Sequence, residues 1–317
     1  MVPSFDNETS LFNFVVRDGN GIKGIVDSGI SNVPQPYIQP PAEQINKKNA
    51  SSEIPPIDLS KLDGPEHDEV ANQIELLRLL DSSNMGRVLY EKALEWKDYI
   101  SMAYTNDDEA LQQWPVECRD VALQYLKTSR EMVRKLLEAL LGNLGVELDD
   151  SKIDAFIGKK MVNMNFYPTC PNLELKVGVG RHSDMGTLTI LLQDGIGGLY
   201  VKVPEVVDME KKGEWVEIPP IPGALVINVG DMLQIWSNGR YKSAEHRVRT
   251  TSTKSRVSIP IFTCPQSTQK IAPLPQVVKK DGIARYREFI FSDYMDSFFG
   301  NAHDDKKSLE FAKINSA

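Results

Sequence analysis

Residues 178–203 read GVGRHSDMGTLTILLQDGIGGLYVKV, and two features of this stretch decide how the chain is understood. The run from Leu188 to Gln193 is short and apolar, a glycine-rich turn covers 194–198, and a second apolar run follows. That pattern is two β-strands joined by a hairpin turn. The glycines at 195, 197 and 198 lie in no phosphate-binding context, because neither a P-loop nor a strand-GxGxxG-helix string surrounds them. Just before the first run stand His182 and Asp184. In extended chain, residues i and i+2 point to one side, so an imidazole and a carboxylate can share one point in space.

Working outward from there, the chain after Lys160 consists of short β-type runs divided by Gly, Pro, Asn and Asp. They are MVNMNFY, GTLTILLQD, GGLYVKV, EWVEIPP, GALVINVGD, QIWSNG, AEHRVRTT and SRVSIPIFTCP. Eight such runs predict an antiparallel sandwich or barrel. Upstream the texture is helical. Apolar positions from Val121 to Leu144 predict one long amphipathic helix over about 120–145, ended by glycines at 142 and 145, and DEVANQIELLRLL predicts another over 68–80. Ile54–Ser60 is expected as a first short strand. The first 60 residues, rich in Pro, Gly and Asn, are expected as an arm lying on the body of the protein, and REFIFSDYMDSFF as C-terminal helix. The expected organisation is an arm and helical region over 1–150 and a β-core with its C-terminal helices over 151–317.

His246 lies 64 residues after His182, enough chain for several strands to bring a third ligand back to the same point. Two imidazoles and one carboxylate on one face leave open positions on an octahedral iron. An HxD pair alone is weak evidence, since structural turns produce it often. Ten residues beyond His246 comes Arg256, with Ser258 two further on and on the same strand face. A guanidinium fork takes a carboxylate in bidentate fashion and a hydroxyl adds a second donor, which suits the distal end of a dicarboxylic keto-acid whose other end chelates the metal. Alone, Arg256 reads as a surface ion-pair residue and Ser258 as a strand-edge residue; in this order with His182, Asp184 and His246, the site reading wins. Asn165 and Tyr167 alternate at the end of MVNMNFY and can donate to the same ligand, although Pro168 ending a strand edge explains them equally well locally. His67 and His303 read as solvated loop residues.

With a net charge of −8 and no Lys/Arg cluster, the chain is not expected to bind nucleic acid. No apolar run is long enough to span a membrane, and the cytoplasm is the default location. Cys118, Cys170 and Cys264 are too few and too far apart for a disulfide framework or a zinc knuckle.

Taken in order, NFYPTCP, VGVGRHSDMGTLTILLQD, GALVINVGDMLQIWSNGRYKSAEHRV and RVSIPIFTCP resemble the blocks of the plant 2-oxoglutarate and iron(II)-dependent dioxygenases. That resemblance implies an α+β protein with a double-stranded β-helix (jelly-roll, cupin-like) core, an α-helical N-terminal cover and C-terminal helices. It implies iron on His182, Asp184 and His246, with 2-oxoglutarate on Arg256 and Ser258 supported by Tyr167 and Asn165. No catalytic side chain beyond the metal centre is implied. Oxygen is the co-substrate, ascorbate the expected reductant and a monomer the expected state. Phe262 is similar to a position that often faces an aromatic substrate.

FVVRDGNGIKGIVDSGI and ALEWKDYISM are most similar to the feruloyl-CoA ortho-hydroxylases of coumarin biosynthesis, so a hydroxycinnamoyl-CoA is the expected substrate, with another flavonoid, alkaloid or hormone as the alternative. One departure stands out. Between about 75 and 92 a segment that the family carries, with a strand of the form GFFxVxNHG, is missing. An inactive truncated paralogue acting only as a binding protein is therefore a second reading. A zinc-binding jelly-roll protein with hydrolytic or storage function is a third, but it has no use for the Arg256–Ser258 pair.

Overall fold

A computed structural model describes residues 5, 8–39, 56–61, 64, 94–172, 178–202, 215–300 and 307–314. Nine strands build the core: β1 Asp98–Tyr104, β2 Lys159–Tyr167, β3 Val179–His182, β4 Leu188–Gln193, β5 Leu199–Lys202, β6 Trp215–Ile218, β7 Val226–Val229, β8 His246–Val248 and β9 Arg256–Cys264. They form a five-stranded sheet in the order β1-β2-β9-β4-β7 and a four-stranded sheet in the order β3-β8-β5-β6, with every pairing antiparallel. Tyr167 and Leu191 of the larger sheet pack with Leu199 and Val248 of the smaller one, so the two sheets face each other as in a jelly roll.

Alternation divides the larger sheet into two chemically different faces. Val162, Ile261, Ile190 and Ile227 are cross-strand neighbours on the outer face. Val162, Ile190 and Ile261 are at most 1% exposed, each contributing roughly 1.5–3 kcal/mol by burial. They pack beneath the Arg119–Asn143 helix, whose Leu126, Val133 and Leu137 share their apolar cluster. Tyr125 of that helix donates to the carbonyls of Ile190 and Ile259 at 3.5 and 3.3 Å. The inner face carries Asn165, Tyr167, Arg256, Ser258, Gln193 and Asn228. Polar residues on that side mark it as the working face.

Pro260 lies in β9, a central strand, where the lost N–H normally breaks a ladder. The β2–β9 pairing is interrupted at Asn163 and Met164, opposite Ile259 and Pro260, and resumes in the same register at Asn165. The sheet has opened at the one position that lacks a donor.

The N-terminal arm lies on the body as expected. Its Gly21–Asp27 helix presents the Ile22 and Lys23 amides to the two carboxylate oxygens of Asp98 at 2.7 and 2.8 Å. A negative group at a helix start satisfies free donors and the dipole together. Leu11, Ile22 and Ile25 close a separate apolar cluster around Trp96 and Cys170. The C-terminal helices Phe291–Gly300 and Lys307–Ala312 pack back through Phe291, Tyr294 and Leu309.

Two expectations are corrected. Ile54–Ser60 is not a strand where it is described: Leu59–Lys61 forms a turn of 3-10 helix, because the Asp58 carboxylate accepts from both the amide and the hydroxyl of Ser60 and curls the chain. QIWSNG is the end of the Asp231–Trp236 helix followed by a turn, with Asn238 at φ 53. β1 and β3 go beyond the eight runs read as strands. The expected helix over 68–80, the shortened stretch 75–92, His67 and His303 lie outside the described residues. None of the three cysteines forms a disulfide, and among the described residues no helix is long and apolar enough to cross a membrane.

Candidate metal centre

β3 and β8 run side by side, and their register sets His182 opposite His246. Each ring is oriented by its own backbone: His182 Nδ1 lies 2.8 Å from the Gly180 carbonyl and His246 Nδ1 3.2 Å from the Ala244 carbonyl. A carbonyl can only accept, so Nδ1 carries the proton and Nε2 keeps its lone pair for a metal. Both Nε2 atoms turn toward Asp184 Oδ1, at 3.8 Å from His182 and 3.6 Å from His246. The three side chains present their ligand atoms within 4.8 Å of one another and can hold one ion. Burial and the neighbouring His246 push His182 down to about 4, so it is neutral at pH 7 and ready to coordinate. Burial alone opposes ionisation of Asp184, but His246, His182 and hydrogen bonds from Thr189 and Asn228 outweigh it and hold the carboxyl below its ordinary range.

The chain around Asp184 is fixed from behind. Asn228 Nδ2 donates to Asp184 Oδ2 at 3.2 Å, leaving Oδ1 toward the imidazoles. The Asp231 amide donates to the Asp184 carbonyl at 2.8 Å. The buried Asp231 carboxylate accepts from Ser183 at 3.1 Å and from Tyr294 at 2.8 Å. Two glycines make this crossing possible: a Cβ on Gly186 would stand 2.4 Å from the Thr263 carbonyl oxygen, and one on Gly230 would stand 2.2 Å from that of Gly186.

The second half of the site lies on β2 and β9, where Tyr167 pairs with Arg256 and Asn165 with Ser258. Arg256 is 1% exposed, yet its Nε and Nη1 have no hydrogen-bond partner; Nη2 donates to Gln193 Oε1 at 2.8 Å. The Tyr167 ring lies 5.1 Å from the guanidinium, and Asn165 Oδ1 is also buried without a partner. A buried guanidinium with two idle donors is costly unless a ligand carboxylate completes it. The donor set therefore fits one end of a dicarboxylate, while the His–Asp–His set fits the metal that its other end would chelate.

All eight expected site residues, His182, Asp184, His246, Arg256, Ser258, Tyr167, Asn165 and Phe262, line one cavity between the sheets, which encloses about 530 Å³ including its mouth. Sequence reasoning missed Gln193, Asn228 and Lys97. The first two carried a signal, being polar residues on the inward face of otherwise apolar strands. Lys97 gave none.

A family model of the 2OG-Fe(II) oxygenase superfamily matches residues 158–265, which hold every one of those eight residues. Scopoletin 8-hydroxylase of Arabidopsis thaliana is 54% identical, covering 98% of this chain and 99% of its own. The chain belongs to the 2OG-Fe(II) oxygenase superfamily. This oxygenase is also 41% identical to a feruloyl CoA ortho-hydroxylase of Ipomoea batatas, with 97% of this chain and 98% of that one covered. Among solved structures it matches a complex of JOX2 with 2OG, Fe and JA at 26% identity and a TM-score of 0.74, covering 92% of this chain and 97% of that one. Its alignment with scopoletin 8-hydroxylase runs over 359 positions against a chain of 317 residues, so several tens of the relative's positions have no counterpart here.

Proposed function

We propose that this oxygenase hydroxylates the aromatic ring of a phenolic compound of coumarin biosynthesis, using iron(II) held by His182, Asp184 and His246. The observation that carries this reading is the full-length likeness to scopoletin 8-hydroxylase, at 54% identity, joined to a cavity that holds both a His–Asp–His cluster and a buried guanidinium. When bound, the metal and 2-oxoglutarate supply the oxidation: with O2 they yield hydroxylated product, succinate and carbon dioxide. The protein's own part is placement. Arg256 pairs with the distal carboxylate of 2-oxoglutarate, Ser258, Tyr167 and Asn165 complete its hydrogen bonds, and Phe262 offers an aromatic face to the substrate ring.

Two acceptors follow from the relatives. Feruloyl-CoA is the substrate named for the relatives at 41% identity, and the N-terminal sequence blocks favour it. Free scopoletin is favoured by the higher identity of 54%. We further propose a monomer in the cytoplasm, ascorbate as the reductant that keeps iron(II) reduced, and a division into an arm with helical region over 1–150 and a catalytic jelly roll over 151–317. The test is incubation of the purified protein with iron(II), 2-oxoglutarate, oxygen and each acceptor, with mass spectrometry of the products. A gain of one oxygen atom on scopoletin or on feruloyl-CoA assigns the acceptor. Folded protein that binds either compound without forming product marks a binding protein.

A further inference from the structure

Lys97 is a second cation in the cavity, and nothing in the iron or 2-oxoglutarate chemistry uses it. It lines the same space as His182, Asp184 and Phe262, and its side chain is only 16% exposed. Its neighbours set its position. Trp96, its chain neighbour, is fully buried against Tyr37, with ring centroids 5.2 Å apart, and its indole N–H donates to the Thr169 carbonyl at 3.4 Å. On either side of that anchor, Glu95 and Lys97 pair with each other, Oε2 to Nζ at 2.9 Å. Lys97 immediately precedes β1, whose Tyr99 pairs with Asn165 of β2, and it lines the cavity together with Asn165.

Glu95 joins this lysine to the metal centre. Its Oε2 lies 2.9 Å from Lys97 Nζ, and its Oε1 accepts from the Gly180 amide at 3.0 Å. The carbonyl of that same Gly180 holds His182 Nδ1 at 2.8 Å. The ammonium is thus linked, through one carboxylate and one residue of β3, to an expected iron ligand. Glu95 takes one of its three N–H donors, and the Tyr99 ring stands 5.0 Å from Nζ. A half-buried ammonium with donor capacity left, beside the metal cluster, is suited to an oxygen acceptor carrying negative charge.

The relative at 54% identity is named for oxidation of scopoletin at carbon 8, which is adjacent to the ring carbon bearing the phenol oxygen. With that C–H turned toward the metal, the phenol oxygen is one ring carbon from the reacting position, in the same cavity that Lys97 and the metal ligands line. We propose that Lys97 is the specificity-determining cation of this site and receives the phenol oxygen ortho to the carbon that is hydroxylated. This rests on the coumarin-hydroxylase reading above. Glu95 is the positioning residue, holding the ammonium at the wall and the β3 backbone in place at the same time.

The test compares scopoletin with its 7-O-methyl ether, 6,7-dimethoxycoumarin, on wild-type protein and on Lys97→Met. Equilibrium binding is measured by coumarin fluorescence with manganese(II) and N-oxalylglycine in place of iron and 2-oxoglutarate, and KM and kcat are measured with the natural set. Wild-type protein is expected to bind scopoletin at least about tenfold more tightly than the ether, whose oxygen cannot ionise to a phenolate and carries a methyl group against the ammonium. Lys97→Met is expected to bind the two about equally, with KM for scopoletin raised about tenfold and KM for 2-oxoglutarate within about twofold of wild type. Lys97→Gln replaces it if circular dichroism shows Lys97→Met unfolded. A variant that keeps the wild-type preference for scopoletin overturns the role of Lys97 alone. Wild-type protein that neither binds nor oxidises scopoletin overturns the substrate reading and this inference with it.

Discussion

His182 and His246 are direct cross-strand partners, set opposite each other by the β3–β8 register with ring centroids 4.3 Å apart. Two short strands therefore deliver both imidazoles, and the turn after β3 need supply only Asp184. Because each Nδ1 is occupied by a carbonyl two residues earlier, the fold selects the tautomer before any metal arrives.

Asp184→Ala removes the only carboxylate of the cluster. Iron-dependent succinate formation is expected to fall at least about 100-fold, and manganese(II) binding, followed by electron paramagnetic resonance, to weaken with it. Full activity in the variant would take Asp184 out of the ligand set.

Asn228→Ala leaves all three ligands in place but frees Asp184 Oδ2 from its 3.2 Å restraint. Metal affinity is expected to drop roughly 10- to 100-fold, with KM for 2-oxoglutarate at saturating iron little changed. Isothermal titration with manganese(II) measures the first and steady-state kinetics the second.

Arg256→Lys keeps a positive charge but loses the planar fork that leaves Nε and Nη1 available. KM for 2-oxoglutarate is expected to rise at least about tenfold while metal affinity stays near wild type. An unchanged KM would move the anchor elsewhere.

Away from the site, Asp281 is held below the ordinary carboxylate range first by its hydrogen bond from Arg240, at 2.6 Å, and then by Asn238, with burial opposing both. A depressed folded-state value stabilises the protein above the unfolded value, about 3.9, and that contribution is lost as pH falls through the folded value. Asp281→Asn is therefore expected to cost about 1–2 kcal/mol at pH 7 and progressively less below pH about 4. Thermal melts of both proteins across that range give the answer.

The core and its site were legible because they rest on alternation. Arg256 and Ser258 are an i and i+2 pair on β9, which strand geometry brings to one face; Asp184 lies just past the end of β3, where the same spacing in the sequence pointed to it and Asn228 holds it in place. Where alternation was masked, the reading failed. From Met232 to Trp236 every side chain is buried, so the run has no period to separate helix from strand. β1 was not read as a strand because it is an edge strand with Tyr99 and Ile100 exposed and Met102 alone fully buried, which hides the inward-outward pattern. Lys97 was invisible for a related reason. Its place in the cavity follows from the Trp96 anchor and from Glu95 reaching a glycine 85 residues away, and neither contact leaves a local trace.

The most direct measurement of the central claim is succinate formation by the purified protein with iron(II), 2-oxoglutarate and oxygen, with and without scopoletin or feruloyl-CoA. Succinate that requires iron, rises with one of these acceptors and matches hydroxylated product mole for mole is the expected result. Folded, iron-loaded protein that forms no succinate under any of these conditions would contradict it.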